Sequence, residues 1–423
     1  MRVALVVGHG VPNPTAGGAT LTNWTIVGYL LEQGHEVVVC PLVDAEYIDP
    51  TGATLEQRVE QLEAAGATVE VLRLRSNTTE VPRLRRWLDP PDELLYPTIA
   101  DRELVRDALE QIQPDVVLAY HWEALAALDG VHVAPKLGVA VDLSHLPRLY
   151  RWRASLRREP VQSLRSLPQL QAYLRRQPPL MVRFLNDCDA AGDFAAHHAD
   201  WLRKHGASHC EYLRTPVPDP LAEGGTRNRA HDGPPRILLL GHLKGIATLE
   251  GLDLFANAVL PRLEQSLGED GFEARLVGGY EPPAELRAAF DRPAVTFHGH
   301  TEDAGVEFVS AAALVVPTPI ELGTRVRILT AFSYGCPVVA HESSALGIPE
   351  LADGYNALLA DDAEGLADSI VRVVRDGKLR TRLRENGRET FDRWFAPDVA
   401  AARVLELLTS LAAGRIRPGA TPA

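Results

Sequence analysis

The stretch Val315 to Leu351, VVPTPIELGTRVRILTAFSYGCPVVAHESSALGIPEL, decides the fold. The apolar run Ala311 to Val316 ends at Pro317, and a short loop follows. A helix-period segment opens at Gly323-Thr324 and is stopped by Gly335 and Pro337, before a second apolar run, Val338-Val339-Ala340. Strand, loop, helix, strand in that order puts the loop at the carboxyl end of a parallel strand, with a helix N-terminus aimed at it. Such a loop suits phosphate, because first-turn amides lack partners and the macrodipole favours an anion.

The same alternation extends outward in both directions. Upstream, apolar runs at Val3–Val7, His35–Cys40, Ala67–Leu72, Asp115–Ala119 and Leu137–Val141 are separated by loops and helical patterns, the first helix around Trp24 to Leu31. Runs at Arg236–Leu240, Ala274–Val277 and Ala294–Phe297 repeat the pattern after a Pro/Gly/polar break, with a helix from about Leu249 to Leu267. Helices are predicted over Ala363–Val374, Leu379–Phe391 and Val399–Leu411. This predicts an α/β protein of two Rossmann-like doubly wound domains facing each other across a cleft. The expected division is 1–215, a linker at 216–235, a second domain at 236–395, and a C-terminal helix with a disordered Pro/Gly tail at 396–423.

Bulk properties agree with two soluble cores. The chain has 423 residues, 46% apolar and 23% charged, with a formal charge of −13. That charge argues against wholesale nucleic-acid binding, which needs basic surface. Cys40, Cys188, Cys210 and Cys336 show no CxxC spacing, so neither a zinc site nor a disulfide framework is indicated. No signal peptide or membrane-spanning run is read from the sequence, and a reduced cytoplasmic setting is expected. One segment departs from the acidic average: 148–176 carries eight arginines against Glu159, with leucines and Trp152 interleaved. It reads either as a weak peripheral contact with an anionic membrane or acidic acceptor, or as a solvated helical face in an insertion.

Four constellations carry candidate chemistry. A glycine-bearing loop after the first strand, Gly8 to Ala19, ends in Gly17-Gly18 and enters a helix, so its amides suit a diphosphate or sugar. It lacks the GxGxxG spacing of a dinucleotide site, because position 13 is Asn. His121, just past the strand Val116–Ala119, is placed to hydrogen-bond a substrate hydroxyl or phosphate, or else to cap a helix. Asp142 occupies the same place after the next strand. Lys244, one of four lysines, follows the second domain's first strand. The fourth constellation is the opening stretch itself, with Glu321, the Gly323-Thr324 amides, Arg325 and Arg327. Arginine in a first helical turn opposes the macrodipole, so an anionic partner accounts for it better than decoration. Asp187-Cys188-Asp189 matches an Asp-x-Asp metal motif only superficially, since no third ligand lies nearby.

Together these segments resemble GT-B glycosyltransferases of the large retaining class with a "glycosyltransferases group 1" C-terminal domain (family four), over nearly the whole chain. Gly17-Gly18-Ala19 resembles that family's Gly-Gly-Ala loop, Leu30 to Val37 its L-x-x-x-GHEV turn, and Pro114 to His121 its P-D-V-V-x-x-H strand. Further on, Leu276 to Gly279, Val295 to Gly299, Gly335 to Ala340 and Gly347 to Leu359 resemble its donor-domain signatures. Gly323 to Leu329 fits the family's G-T-R-L-K-I-L variant, but the carboxylate expected next is Thr330. Glu321 lies one residue from the register of the loop glutamate. The family's G-R-x-x-x-x-K phosphate clamp becomes Gly241-His242 through Ala247, without either cation.

The resemblance implies a transferase moving a sugar from a nucleoside-diphosphate (NDP) sugar to a small-molecule, lipid or glycan acceptor. It implies retention of configuration, with no cofactor and no metal. By that resemblance Gly299 and His300 would meet the base and Thr330 the ribose. Lys244, Arg325, Arg327 and the Gly323-Thr324 amides would take the diphosphate, and Glu321 the donor sugar. His121 and the Gly17-Gly18 loop would supply the first domain's side. Thr330 and the missing clamp also leave open a glycosyltransferase-like binding subunit without turnover. Acceptor choice is expected to rest with residues 75–100 and 143–180.

Overall fold

A computed structural model describes the chain except at His9, residues 44–46, 48, 50, 75–98, 223, 225–232, 280–281, 302 and 416–423. Most of the 75–100 stretch, the middle of the expected linker and the C-terminal tail therefore lie outside the described residues. Two compact units make up the chain. The first comprises Met1–Asn13, Ile26–Leu213 and the chain from Ala402, and the second comprises Pro14–Thr25 and Arg214–Ala401.

The first unit holds strands β1 (Arg2–Val7), β2 (Glu36–Val43), β3 (Thr68–Val69), β4 (Leu72–Arg73), β5 (Val116–Tyr120), β6 (Lys136–Val139), β7 (Ala190–Asp193) and β8 (Cys210–Tyr212). Their order is β3-β2-β1-β5-β6-β7-β8, with β4 also on β2, and the pairings are parallel. β5 is buried throughout and β1 from Val3 onward. Burial on both faces is why they read as unbroken apolar runs. Strand order reverses between β1 and β5, which makes their carboxyl ends the switch point of this sheet. β7 and β8 were not legible as strands, because AAGD and CEY lack β-branched runs. Helices α1 (Gly18–Glu32), whose first half belongs to the second unit, α2 (Leu55–Ala64), α3 (Ile99–Ile112), α4 (Trp122–Ala127), α5 (His145–Arg158), α6 (Pro160–Asn186) and α7 (Ala196–Lys204) connect them. The Met181–Leu185 run belongs to the end of α6.

The second unit's sheet contains β9 (Arg236–Leu240), β10 (Glu273–Val277), β11 (Val295–Gly299), β12 (Ala313–Val316), β13 (Val338–His341) and β14 (Leu358–Ala360). The order β11-β10-β9-β12-β13-β14 is again parallel and reverses between β9 and β12. Along β9 the side chains alternate between two cores, Ile237 and Leu239 in one and Leu238 in the other. The helix expected at Leu249–Leu267 is three pieces: α8 (Ile246–Leu254), a π turn at Phe255–Val259 and α9 (Leu260–Leu267). Pro261, near the start of α9, has no N–H to give, and the wider turn before it absorbs the lost bond. Helices α10 (Ala284–Ala289), α11 (Ala304–Ser310), α12 (Val326–Ser333), α13 (Ser343–Gly347), α14 (Ala363–Arg375), α15 (Gly377–Trp394) and α16 (Pro397–Ala412) complete the described chain. No helix among the described residues is long and apolar enough to cross a membrane.

Candidate active site

At the second unit's switch point, β9 ends in Leu240-Gly241 and β12 runs out at Val316. One side chain joins the two ends. Arg327 donates from Nη1 to the Leu240 carbonyl at 2.7 Å and to Thr248 Oγ1 at 3.3 Å, and from Nη2 to Thr318 Oγ1 at 3.1 Å. Its Nε is buried without a partner, and no carboxylate among the described residues pairs with it. Burial pushes its guanidinium pKa down to about 9, and the charge of Arg325 adds to the shift. A half-buried cation with only neutral acceptors is short of counter-charge unless an anion joins it. Gly241 is required here, because a Cβ would collide with Arg327 Nη1 and lie 2.8 Å from Thr248 Oγ1. Arg327, Thr248, Thr318 and the apolar Leu243, Leu252 and Val315 line a small hollow at this point.

The helix that carries Arg327 begins later than the sequence suggests. α12 starts at Val326, with Arg325 as N-cap, so Gly323 and Thr324 precede it in the loop. Arg325 is 7% exposed and donates Nη2 to the Ile320 carbonyl at 2.8 Å, which folds the loop back on itself. The Arg325 side chain makes no N-cap bond. The first amides of α12 are therefore not capped by that residue, as an anion-binding helix end requires. Thr330, one turn on, donates Oγ1 to the Val326 carbonyl at 3.1 Å.

The remaining expected residues spread around this centre. Lys244 is exposed just beyond β9. His242, where the family places an arginine, is held below its ordinary 6.5 by burial of part of the ring and by the Lys244 charge. At neutral pH it is an uncharged imidazole. Glu321 is exposed on the loop before α12. Gly299 closes β11 with φ 77°, a conformation that favours glycine, and His300 after it is exposed. These two sit at the sheet's edge, two strands from β9. Gly17 and Gly18 fall in the Pro14–Thr25 segment of the second unit, where a Cβ at Gly18 would lie 2.9 Å from the Val326 side chain. Thr248 and Thr318 were missed by sequence reasoning. Thr318 was findable, since it follows the carboxyl end of β12 as Lys244 follows β9.

The first unit's switch point is built from different chemistry. His121 N–H donates to the Val139 carbonyl at 2.9 Å, and the ring Nδ1 pairs with Glu123 Oε2. Burial alone would lower the His121 pKa, but the Glu123 carboxylate, aided by Asp142, outweighs it and the value is raised. Glu123 lies over the end of β1: a Cβ at Gly8 would come 2.7 Å from its Oε2. His121 has φ 76° and Val141 has φ 72°, so both neighbouring strand ends carry backbone strain of about 1–3 kcal/mol each. Beside them, His198 Nδ1 sits 3.9 Å from Asp142 Oδ1 and 3.8 Å from Asp193 Oδ1. Burial raises the Asp193 pKa well above the ordinary carboxylate range. Glu123, Asp193 and His198 gave no sequence signal.

Asp187 and Asp189 are structural. Asp187 Oδ2 pairs with Lys136 Nζ at 2.5 Å, and Asp189 Oδ2 accepts the Lys136 amide at 2.8 Å. Among the described residues no group of three His, Cys, Asp or Glu side chains is placed to hold a metal ion.

Comparison with known proteins bears on this geometry. Residues 234–376 match the family model "Glycosyl transferases group 1". A stretch of 87 residues is 40% identical to the lipopolysaccharide core biosynthesis glycosyltransferase LpsE of Rhizobium meliloti, covering 20% of this chain and 25% of that relative. The fold is similar to Anabaena HepE in complex with UDP and glucose (TM-score 0.67, 15% identity, 97% of this chain and 100% of that one). It is also similar to sucrose-phosphate synthase from Thermosynechococcus elongatus (TM-score 0.67, 17% identity, 98% and 99%). Residues 234–376 thus match the glycosyl transferases group 1 model, within the two-sheet α/β fold seen in GT-B glycosyltransferases.

Proposed function

We propose that the chain is a glycosyltransferase that takes a sugar from a nucleoside-diphosphate donor and delivers it to a glycan or lipid-borne acceptor hydroxyl. The observation that carries this reading is Arg327, a half-buried cation at a parallel-sheet switch point with only carbonyl and hydroxyl acceptors around it. A diphosphate supplies the missing negative charge and fits beside the first amides of α12. Arg325 and Lys244 add cations near the same strand end, in place of the clamp that His242 and Ala247 do not provide. Thr330 then faces the ribose, Gly299 and His300 the base, and Glu321 the donor sugar, with Gly17-Gly18 beside the start of α12. HepE has been seen with UDP and glucose, which makes UDP-glucose the first donor to try.

In the transfer, the bond from the sugar's anomeric carbon to the diphosphate oxygen breaks and one to the acceptor oxygen forms. The acceptor proton passes to the departing diphosphate, so a separate catalytic base is not required. Cationic side chains and helix amides stabilise the diphosphate charge as it develops, without a metal. Retention of configuration follows if attack comes from the face the diphosphate leaves.

Calorimetry with UDP-, GDP- and TDP-sugars, followed by donor hydrolysis and transfer assays, tests the proposal. Binding of one donor with hydrolysis or transfer is expected, and no binding of any donor overturns it. Thr330 and His242 favour a second reading, a sugar-nucleotide-binding subunit without turnover. Tight binding with no hydrolysis and no transfer would select it.

A further inference from the structure

The hairpin α5–α6 is not used by the proposed chemistry. Its two helices carry nine arginines, five in the first and four in the second, and no Asp or Glu. The one acid between them is Glu159, in the turn. This is an unusual segregation in a chain whose formal charge is −13.

α6 has two well-defined faces. Ser163, Leu170, Tyr173, Gln177, Met181 and Phe184 are buried at three- and four-residue spacing. This face is locked to α5, with Trp152 Nε1 donating to the Ser163 carbonyl at 2.9 Å and Arg148 stacked 4.1 Å over the Tyr173 ring. The opposite face, Val161, Leu164, Arg165, Pro168, Gln171 and Arg175, is exposed. Val161 is 65% and Leu164 57% exposed, more than any other large apolar residue described. They lie at the tip of the hairpin, next to the exposed Arg157, Arg158 and Arg165.

We infer that this tip seats the protein on an anionic lipid surface. Val161 and Leu164 would enter the boundary between headgroups and acyl chains, while the arginines meet lipid phosphates. Guanidinium groups suit this place, since they bind phosphate in a bidentate fork and give up hydration more readily than ammonium groups. A nucleic acid or an acidic protein surface would use the arginines but leave two exposed aliphatic side chains at the tip without a role. The charge complementarity and the apolar tip together select lipid. The inference stands apart from the transferase reading, because it needs neither donor nor acceptor.

The test is flotation of the full chain with vesicles of phosphatidylcholine alone and with added phosphatidylglycerol, at low and moderate salt. Binding to the phosphatidylglycerol vesicles only, weakened by salt, is expected. Both Val161→Ser/Leu164→Ser and Arg157→Glu/Arg165→Glu should reduce it on the order of tenfold. All four positions are exposed, and a thermal melt of each variant confirms that the fold is kept. The polyanion alternative is read with a single-stranded oligonucleotide. The inference is overturned by no vesicle binding at low salt, or by a serine double variant that binds vesicles as well as the parent. Oligonucleotide binding that matches vesicle binding and ignores the serine substitutions also overturns it.

Discussion

The two sheets use one device with opposite charge. In each, the first strand ends in a glycine, Gly8 or Gly241, and a helix at the switch point lays a charged side chain over it, Glu123 or Arg327. Glu123 meets His121 within its own unit, so that strand end has its counter-charge. Arg327 meets the Leu240 carbonyl and two threonine hydroxyls and has no carboxylate partner among the described residues. Equal topology thus yields one site that is electrostatically closed and one that is open to an anion. The open one is the site we propose for a nucleotide diphosphate.

The largest expected effect breaks the open site. Arg327→Ala should weaken binding of the donor nucleotide by about 10- to 100-fold, as loss of charged hydrogen bonds worth about 1.5–3 kcal/mol implies. Calorimetry with UDP reads it. Lys244→Ala removes an exposed cation and should cost less, about 0–1 kcal/mol. Unchanged affinity for Arg327→Ala would mean that the arginine only ties β9 to β12.

Breaking the closed site should appear in stability instead. The His121 pKa is raised in the fold above its ordinary 6.5. Its pairing with Glu123 therefore stabilises fully below pH 6.5, and the gain is lost as pH rises through the folded value. Glu123→Gln should cost about 1–3 kcal/mol under acidic conditions and progressively less as pH rises. Denaturant unfolding of parent and variant at several pH values measures the difference, and a pH-independent gap would rule out the ion pair as its source.

The two glycines sharpen the contrast. At Gly8 an added Cβ meets Glu123 Cβ at 2.8 Å and the Ala124 amide at 3.3 Å, atoms that cannot swing away. Gly8→Ala should destabilise by about 1–3 kcal/mol. At Gly241 the obstacle includes the far end of Arg327. Gly241→Ala should displace that guanidinium and also strain the backbone at φ 159°, so nucleotide affinity falls along with some stability. Equal stability losses would show that the two strand ends are packed alike.

How far the sequence reveals this depends on how local the signal is. β1, β5, β9 and β12 are buried on both faces, so each announces itself as an apolar run, and the parallel doubly wound class follows from alternation. The Gly-Thr-Arg turn was visible for the same reason, being bounded by Pro317 and Gly335. Helix α12 starts two residues later than Gly-Thr suggested, because Arg325 bonds back to Ile320, a contact no propensity encodes. Thr248, Asp193 and His198 were invisible because each gains its meaning from a partner on another strand or helix, and Glu123 because it lies over Gly8 at the end of β1. Asp193 and Asp142 are 51 positions apart in sequence, yet both stand within 4 Å of one imidazole nitrogen.

Thr330 carries the smallest expected effect, and it limits the comparison from the other side. Its hydroxyl already donates to the Val326 carbonyl, so it can only accept from a ribose hydroxyl, and one neutral acceptor replaces two carboxylate oxygens. Thr330→Ala should change nucleotide affinity by less than about threefold, roughly 0.5 kcal/mol at the low end of a neutral hydrogen bond. Losing the back-bond to the preceding turn costs the helix little, since such bonds compete with its own ladder. Calorimetry on the same nucleotide ranks this variant against Arg327→Ala. If Thr330→Ala proves the more damaging of the two, ribose recognition rather than Arg327 holds the donor, and the open switch point is not the diphosphate site.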